Sequence, residues 1–142
     1  MHNFNYPAKF KRDKKEGGFV ITFRDIPEAI TQAETIEECF DEAADCLEEA
    51  IAGRIDDNLI IPKPSKAYRS EKIITVPAQT SIKAALYIAM YENKINKSEL
   101  ARRLNIDVRE VRRMLNPHHG TKLPAMEQAL AALGKHVELH VL

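Results

Sequence analysis

The run KSELARRLNIDVREVRRMLNP, residues 97 to 117, constrains the fold more than any other stretch, because it carries two short apolar helical stripes broken by a turn. Asn96 with Glu99, and Asp107 with Glu110, stand three residues apart as in a capping box, so each stripe has its own start. Leu100, Ala101 and Leu104 face inward from the first helix, Val111, Met114 and Leu115 from the second, and apolar Ile106 plugs the corner. Ala101 is small where two steeply crossing helices would touch. Two short helices joined in this way read as a helix-turn-helix.

That core leaves Val108, Arg109, Arg112 and Arg113 facing out of the second helix, near the N-terminal part that enters the major groove in this motif. With Arg102 and Arg103 they make a strongly basic segment. Such a face is either a solvated surface without a ligand or a reader of double-stranded DNA, where arginine donates a fork to guanine or holds phosphate. The coincidence of the small alanine, the apolar turn, two caps and the basic face favours DNA. Lys97 opens the preceding helix where it could meet phosphate, and Asn116 with Thr121 and Lys122 of the loop PHHGTK that follows it complete the candidate DNA contacts.

Around this motif, SIKAALYIAMYENK, residues 81 to 94, predicts a helix with Ile82, Leu86, Ala89 and Met90 inward. LPAMEQALAALG predicts another, with Pro124 in its first turn and Gly134 ending it. KHVELHVL alternates with period two, which predicts a strand over residues 136 to 141. Its His136, Glu138 and His140 read as a solvated face rather than a metal site. Nothing else in residues 80 to 142 offers a partner strand, and an unpaired edge invites another chain. Val137, Leu139 and Val141 are therefore the candidate dimerisation residues of a homodimer or higher even oligomer.

Zero formal net charge conceals a division: residues 1 to 79 carry 11 Lys/Arg against 15 Asp/Glu, and residues 80 to 142 carry 10 against 6. The asymmetry suggests partners of opposite character. IIPKPSKAYRSEK, residues 60 to 72, reads as a connector leading into the strand candidate IITV. Before it, residues 5 to 12 and 17 to 24 predict a hairpin around DKKEGG, and EAITQA a third extended piece. A helix follows from Ile36, with Thr35 and Glu38 as its capping pair, Ile36, Cys39, Phe40, Ala43, Leu47, Ala50 and Ile51 as its apolar stripe, and Gly53 as its stop. The expected order is β-β-β-α-β.

Glu34, Glu37, Glu38, Asp41, Glu42, Asp45, Glu48 and Glu49 crowd that helix with no basic residue among them. They form either a wet outer face or a docking surface for a basic protein. Carboxylates on one helix do not make a two-metal nuclease, which needs them to converge from several elements. No Ser/His/Asp order, glycine-rich phosphate loop or HExxH motif is present, and His2 is the only histidine of this half. Cys39 and Cys46 lie seven apart, roughly 10 Å along a helix and too far for a disulfide, so they read as core residues. With 44% hydrophobic and 30% charged residues, no apolar run long enough to span a bilayer and no signal peptide, the chain is expected in the cytoplasm, without cofactor or metal.

Taken together, EGGFVITFRDIPEAITQAETIEECFDEAADCLEEAI and KSELARRLNIDVREVRRMLNPHHGTKLPAMEQALAALGK resemble the HicB antitoxin family across nearly the whole chain. The carriers are the glycine-led strand Gly17 to Phe23, Asp25 with Pro27, then Thr31, Gln32 and Thr35, and the acidic helix from Ile36. The resemblance implies an α+β protein. Residues 1 to 79 would form a truncated ribonuclease-H-like, toxin-binding domain that includes the connector. Residues 80 to 142 would form a Cro-like helix-turn-helix domain with a C-terminal strand, for DNA binding and dimerisation. It further implies a non-enzymatic antitoxin that neutralises a HicA-type ribonuclease toxin and represses its own operon at double-stranded operator DNA. Arg24 stands where the family commonly has proline and Ala33 where it has glycine, so a turn needing positive φ at Ala33 would be strained. A stand-alone helix-turn-helix regulator with an N-terminal sensor domain is the alternative reading, and an active nuclease the third.

Overall fold

Residues 3–142 are described by a computed structural model; His2 lies outside them. The fold is α+β, and the chain divides into two compact units, residues 1–81 and 82–142. In the first, β1 (Asn5–Arg12), β2 (Phe19–Thr22), β3 (Ile30–Ala33) and β4 (Glu71–Thr75) form an antiparallel sheet in the order β3-β2-β1-β4. Tyr6 pairs with Ile74, and Phe10 with Ile21. The period of two then puts Tyr6, Ala8, Ile21 and Ile74 on one face, where all four are buried. Helix α1 (Ile36–Asp56) packs on the sheet through Cys39, Ala43, Leu47, Ile51 and Ile55, one row at i+4 spacing. Each leucine or isoleucine of that row stabilises the unit by about 1.5 to 3 kcal/mol on burial.

Three details of this unit differ from the sequence reading. Ile36 and Phe40 stay 43% and 42% exposed, outside the buried row, and the Phe40 ring instead meets Phe10 edge-on at 5.1 Å. Gly53 does not end α1. The helix continues because Ile55 is buried and Arg54 binds the Glu28 carboxylate at 2.6 Å and the Ile60 carbonyl, contacts that outweigh the ~1 kcal/mol helix cost of glycine. Ala33 lies within β3, and the non-glycine residues with positive φ among those described are Asn58, Lys94 and Asn105, so no strain falls on it. Gly18 is the glycine this region requires: at φ +71°, a Cβ would sit 2.5 Å from the Ala33 carbonyl oxygen on the neighbouring strand.

The connector is strapped to the first unit. The Asp25 carboxylate accepts from the Ser65 amide at 2.8 Å and its hydroxyl at 2.6 Å, and the Tyr6 hydroxyl donates to the Pro62 carbonyl at 2.6 Å. Burial pushes the Tyr6 phenol up to about 12. Arg24 stacks 4.1 Å over the Tyr68 ring and donates to the Glu71 carboxylate and the Lys66 carbonyl.

The second unit holds most of α2 (Ala78–Asn93), then α3 (Lys97–Leu104), α4 (Val108–Leu115) and α5 (Leu123–Ala131). Leu86, Leu100, Val111, Met126, Ala129 and Leu130 form its core, whereas Ile82 is only half-buried. Residues 135 to 142 do not form the expected strand. A strand needs a partner for its N–H and C=O groups, and the described residues of this unit contain none. Leu139 and Val141 are left 77% and 89% exposed. No helix among the described residues is long and apolar enough to cross a membrane.

Donation from Arg24 holds the Glu71 carboxyl below its usual 4.5. Its contribution to stability is present above the unfolded pKa and is lost as pH falls through the folded one. Thermal melts between pH 6 and 3 should show acid destabilisation that flattens in Glu71→Gln; an unchanged acid limb would mean that the pair holds the connector in place without stabilising the fold.

Candidate nucleic-acid interface

Helices α3 and α4 are eight residues each, too short to persist alone, and are defined by their ends and their buried side. The Asn96 side chain accepts from the Glu99 amide at 2.8 Å, and Asp107 from the Arg109 amide at 2.8 Å. Neither box closes with its glutamate: Glu99 binds Arg102 and Arg103, and Glu110 binds Arg113. Asn105 turns the chain in the left-handed region at φ 55°, and its amide, with that of Ile106, caps the last carbonyls of α3. Asparagine tolerates this conformation through its short polar side chain. Leu100, Ala101, Val111, Met114 and Leu115 are buried, with Leu104 and Ile106 half-buried between them.

On the opposite side of α4, Arg109, Arg112 and Arg113 are exposed and Val108 is half-exposed, so the four outward residues read from the sequence share one accessible face. Arg109 is engaged by Asp107 at 3.2 Å and Arg113 by Glu110. On α3, Arg102 and Arg103 share Glu99 at 2.6 and 3.1 Å, which pushes that carboxyl down to about 2. Arg112 alone of the five has no carboxylate in contact among the described residues. Lys97 is half-exposed in the first turn of α3. Asn116 and Lys122 are exposed, the Asn116 side chain accepting from the His118 amide.

Thr121 is half-exposed, as Lys97 and Val108 are, and its hydroxyl accepts from the Lys83 ammonium at 2.8 Å. Lys83, on α2, has 0% exposure and also donates to the Arg113 carbonyl at 2.7 Å. Burial pushes it down from 10.5 to about 8. Sequence reading missed this residue. The only mark it left was a lysine within three residues of Leu86 on the side of α2 that carries the apolar stripe. Val137, Leu139 and Val141 have no regular structure, and the His136 and His140 rings both lie beside Glu138, at 3.5 and 3.6 Å.

A family model described as the HicB_like antitoxin of bacterial toxin-antitoxin systems matches residues 5–85. "Antitoxin HicB" of Escherichia coli (strain K12) is 40% identical over 124 residues, covering 87% of this chain and 90% of that protein. "Antitoxin HicB 2" of Photorhabdus laumondii is 39% identical over 137 residues, 96% of each. "Antitoxin HicB" of Pseudomonas fluorescens is 32% identical over 129 residues, 90% and 88% respectively.

Because the folded pKa of Lys83 lies below the unfolded value, the unfolded chain binds more protons between pH 8 and 10.5, and stability rises with pH across that window. Denaturant titrations at pH 7.5, 8.5 and 9.5 should show this rise in the wild type and its disappearance in Lys83→Met. A side-chain NMR titration that placed the ammonium at the ordinary lysine value would contradict the burial.

Proposed function

The chain belongs to the HicB-like antitoxin family, and on that premise we propose that it neutralises a HicA-type ribonuclease toxin and represses its own operon. In this reading residues 1 to 79 are a truncated ribonuclease-H-like, toxin-binding domain. Residues 80 to 142 are a Cro-like helix-turn-helix domain, and the protein works in the cytoplasm without catalysis or cofactor. The observation that carries the DNA-binding half is the outward set of exposed Arg109, Arg112 and Arg113 with half-exposed Val108, backed on the same helix by buried Val111, Met114 and Leu115. Arg112 can meet phosphate or a base directly. Arg109 and Arg113 have to leave Asp107 and Glu110, but ion pairs this exposed are screened by water and salt, so the exchange is cheap. Lys97 holds phosphate, and Asn116 and Lys122 extend the contact along the backbone of the duplex.

For the toxin, charge favours the outer face of α1, where Glu37, Asp41, Glu42, Asp45 and Glu49 are exposed and the first cation is Arg54 in the last turn. A basic partner would be steered to this face and oriented by it. A single helix-turn-helix spans few base pairs, and repressors of this type bind as two-fold dimers to half-sites one turn apart. Residues 136 to 141, lacking a strand partner within their own unit, pair with the same segment of a second subunit and pack Val137, Leu139 and Val141 between the two.

Arg109→Ala or Arg113→Ala should cost about 1 to 3 kcal/mol on the promoter segment at matched salt and relax preference at one base position, whereas Lys97→Ala should weaken all sequences evenly. Cells carrying the Arg109, Arg112, Arg113 triple alanine variant should lose repression yet stay protected from the toxin. Wild-type promoter affinity in that variant would put the wrong helix in the groove. Truncation after Lys135 should yield a monomer by sedimentation that no longer prefers a palindromic site; a truncated dimer with normal binding would place the subunit interface elsewhere.

A further inference from the structure

Lys83 is the one charged side chain fully buried among the described residues. A buried ammonium is costly unless fixed partners meet it, and an apolar side chain of similar volume is often the more stable choice. Both partners of Lys83 belong to the proposed DNA interface. The Arg113 carbonyl lies in the last turn of α4, where it accepts from the Asn116 amide at 3.1 Å and from the Lys83 ammonium on its remaining lone pair, and where the helix dipole favours a cation. Thr121 ends the loop that leaves α4 and precedes Lys122, the N-cap residue of α5. One ammonium thus ties the end of the arginine-bearing helix to the far end of the loop, 2.7 Å on one side and 2.8 Å on the other.

We propose that Lys83 is a positioning residue for DNA recognition, whose buried ammonium locks the C-terminal end of α4 to the α4–α5 loop so that the arginines and Lys122 meet the duplex in one fixed geometry. The proposal rests on the reading of α4 as the DNA-binding helix. It touches no DNA itself. It acts on specificity, because base readout needs the guanidinium forks held in place, whereas non-specific attraction to phosphate tolerates movement. A residue that merely supported the fold would lower all binding together, through the fraction of active protein.

The test uses the full chain, its own promoter segment and a scrambled duplex of equal length, compared by fluorescence anisotropy at matched salt. Lys83→Met keeps the apolar stem and removes the donors. It should bind the promoter about tenfold more weakly while changing scrambled-duplex binding less than twofold. Thr121→Val should behave alike, Thr121→Ser should restore wild-type discrimination, and the double variant Lys83→Met, Thr121→Val should be no worse than Lys83→Met alone, since the two residues share one interaction. Additive losses, or equal losses on both duplexes, would overturn the positioning role. Should Lys83→Met not fold, the Thr121 pair decides: wild-type discrimination by Thr121→Val overturns the proposal. Full discrimination in Lys83→Met alongside lost binding in the Arg109, Arg113 double alanine variant refutes the clamp and leaves the DNA reading standing, whereas wild-type binding by that double variant refutes the DNA reading itself.

Discussion

A charge or hydroxyl taken out of water is costly unless a fixed partner meets it, and in both units such partners hold down segments with no helix or strand of their own. Asp25 takes both hydrogen-bond donors of Ser65, and the Tyr6 hydroxyl, in the buried face of β1, reaches the Pro62 carbonyl. A stretch rich in proline, which would otherwise wander, is thereby shaped against the sheet. In the second unit Lys83 does the same for the loop between α4 and α5. The apolar cores fix where the helices and the sheet lie; these few polar bonds fix the chain between them.

Much of the fold was legible because it rests on short-range pattern. Cys39, Ala43, Leu47 and Ile51 of α1, the Thr35 cap, the two short helices and the turn between them all follow from spacing, and the structure has them where the pattern put them. The misreadings have a common cause, which is that local preference was overruled or left unmet at longer range. Gly53 should end a helix, but the next two residues find partners that carry α1 onward, Arg54 at Glu28 and the Ile60 carbonyl and Ile55 in the core. KHVELHVL has the period of a strand, yet a strand exists only when another pairs with it. Lys83 was invisible as a site residue because its meaning lies in Arg113 and Thr121, thirty and thirty-eight positions away. Arg24 gave no sign in the sequence of the contacts it makes, because Tyr68 and Glu71, which it clasps, lie more than forty positions away.

The basic segment also shows why a count of arginines says little about available charge. Four of the five are matched by Glu99, Asp107 and Glu110 within their own helices or caps, and these pairs hold the guanidinium groups near the helix surface. Pairs this exposed are weak and screened by salt, so they restrain the arginines without sequestering them. On the proposed reading, a phosphate or guanine edge replaces a carboxylate rather than water, which lowers indiscriminate attraction to nucleic acid and leaves the net charge of the chain at zero.

Helix α4 divides its work between two faces. With eight residues it draws no stability from its own propensity, and depends on burial of Val111, Met114 and Leu115, on the Asp107 cap and on the Lys83 bond at its end. None of these uses the outward side chains. Arg109, Arg112 and Arg113 are therefore largely free of the demands of folding, and on the proposed reading substitutions among them change what the helix reads without changing whether it forms. On the proposed reading the cost of that freedom is carried by α2 and the loop, whose buried Lys83 contacts hold the end of the helix so that an outward arginine points the same way twice.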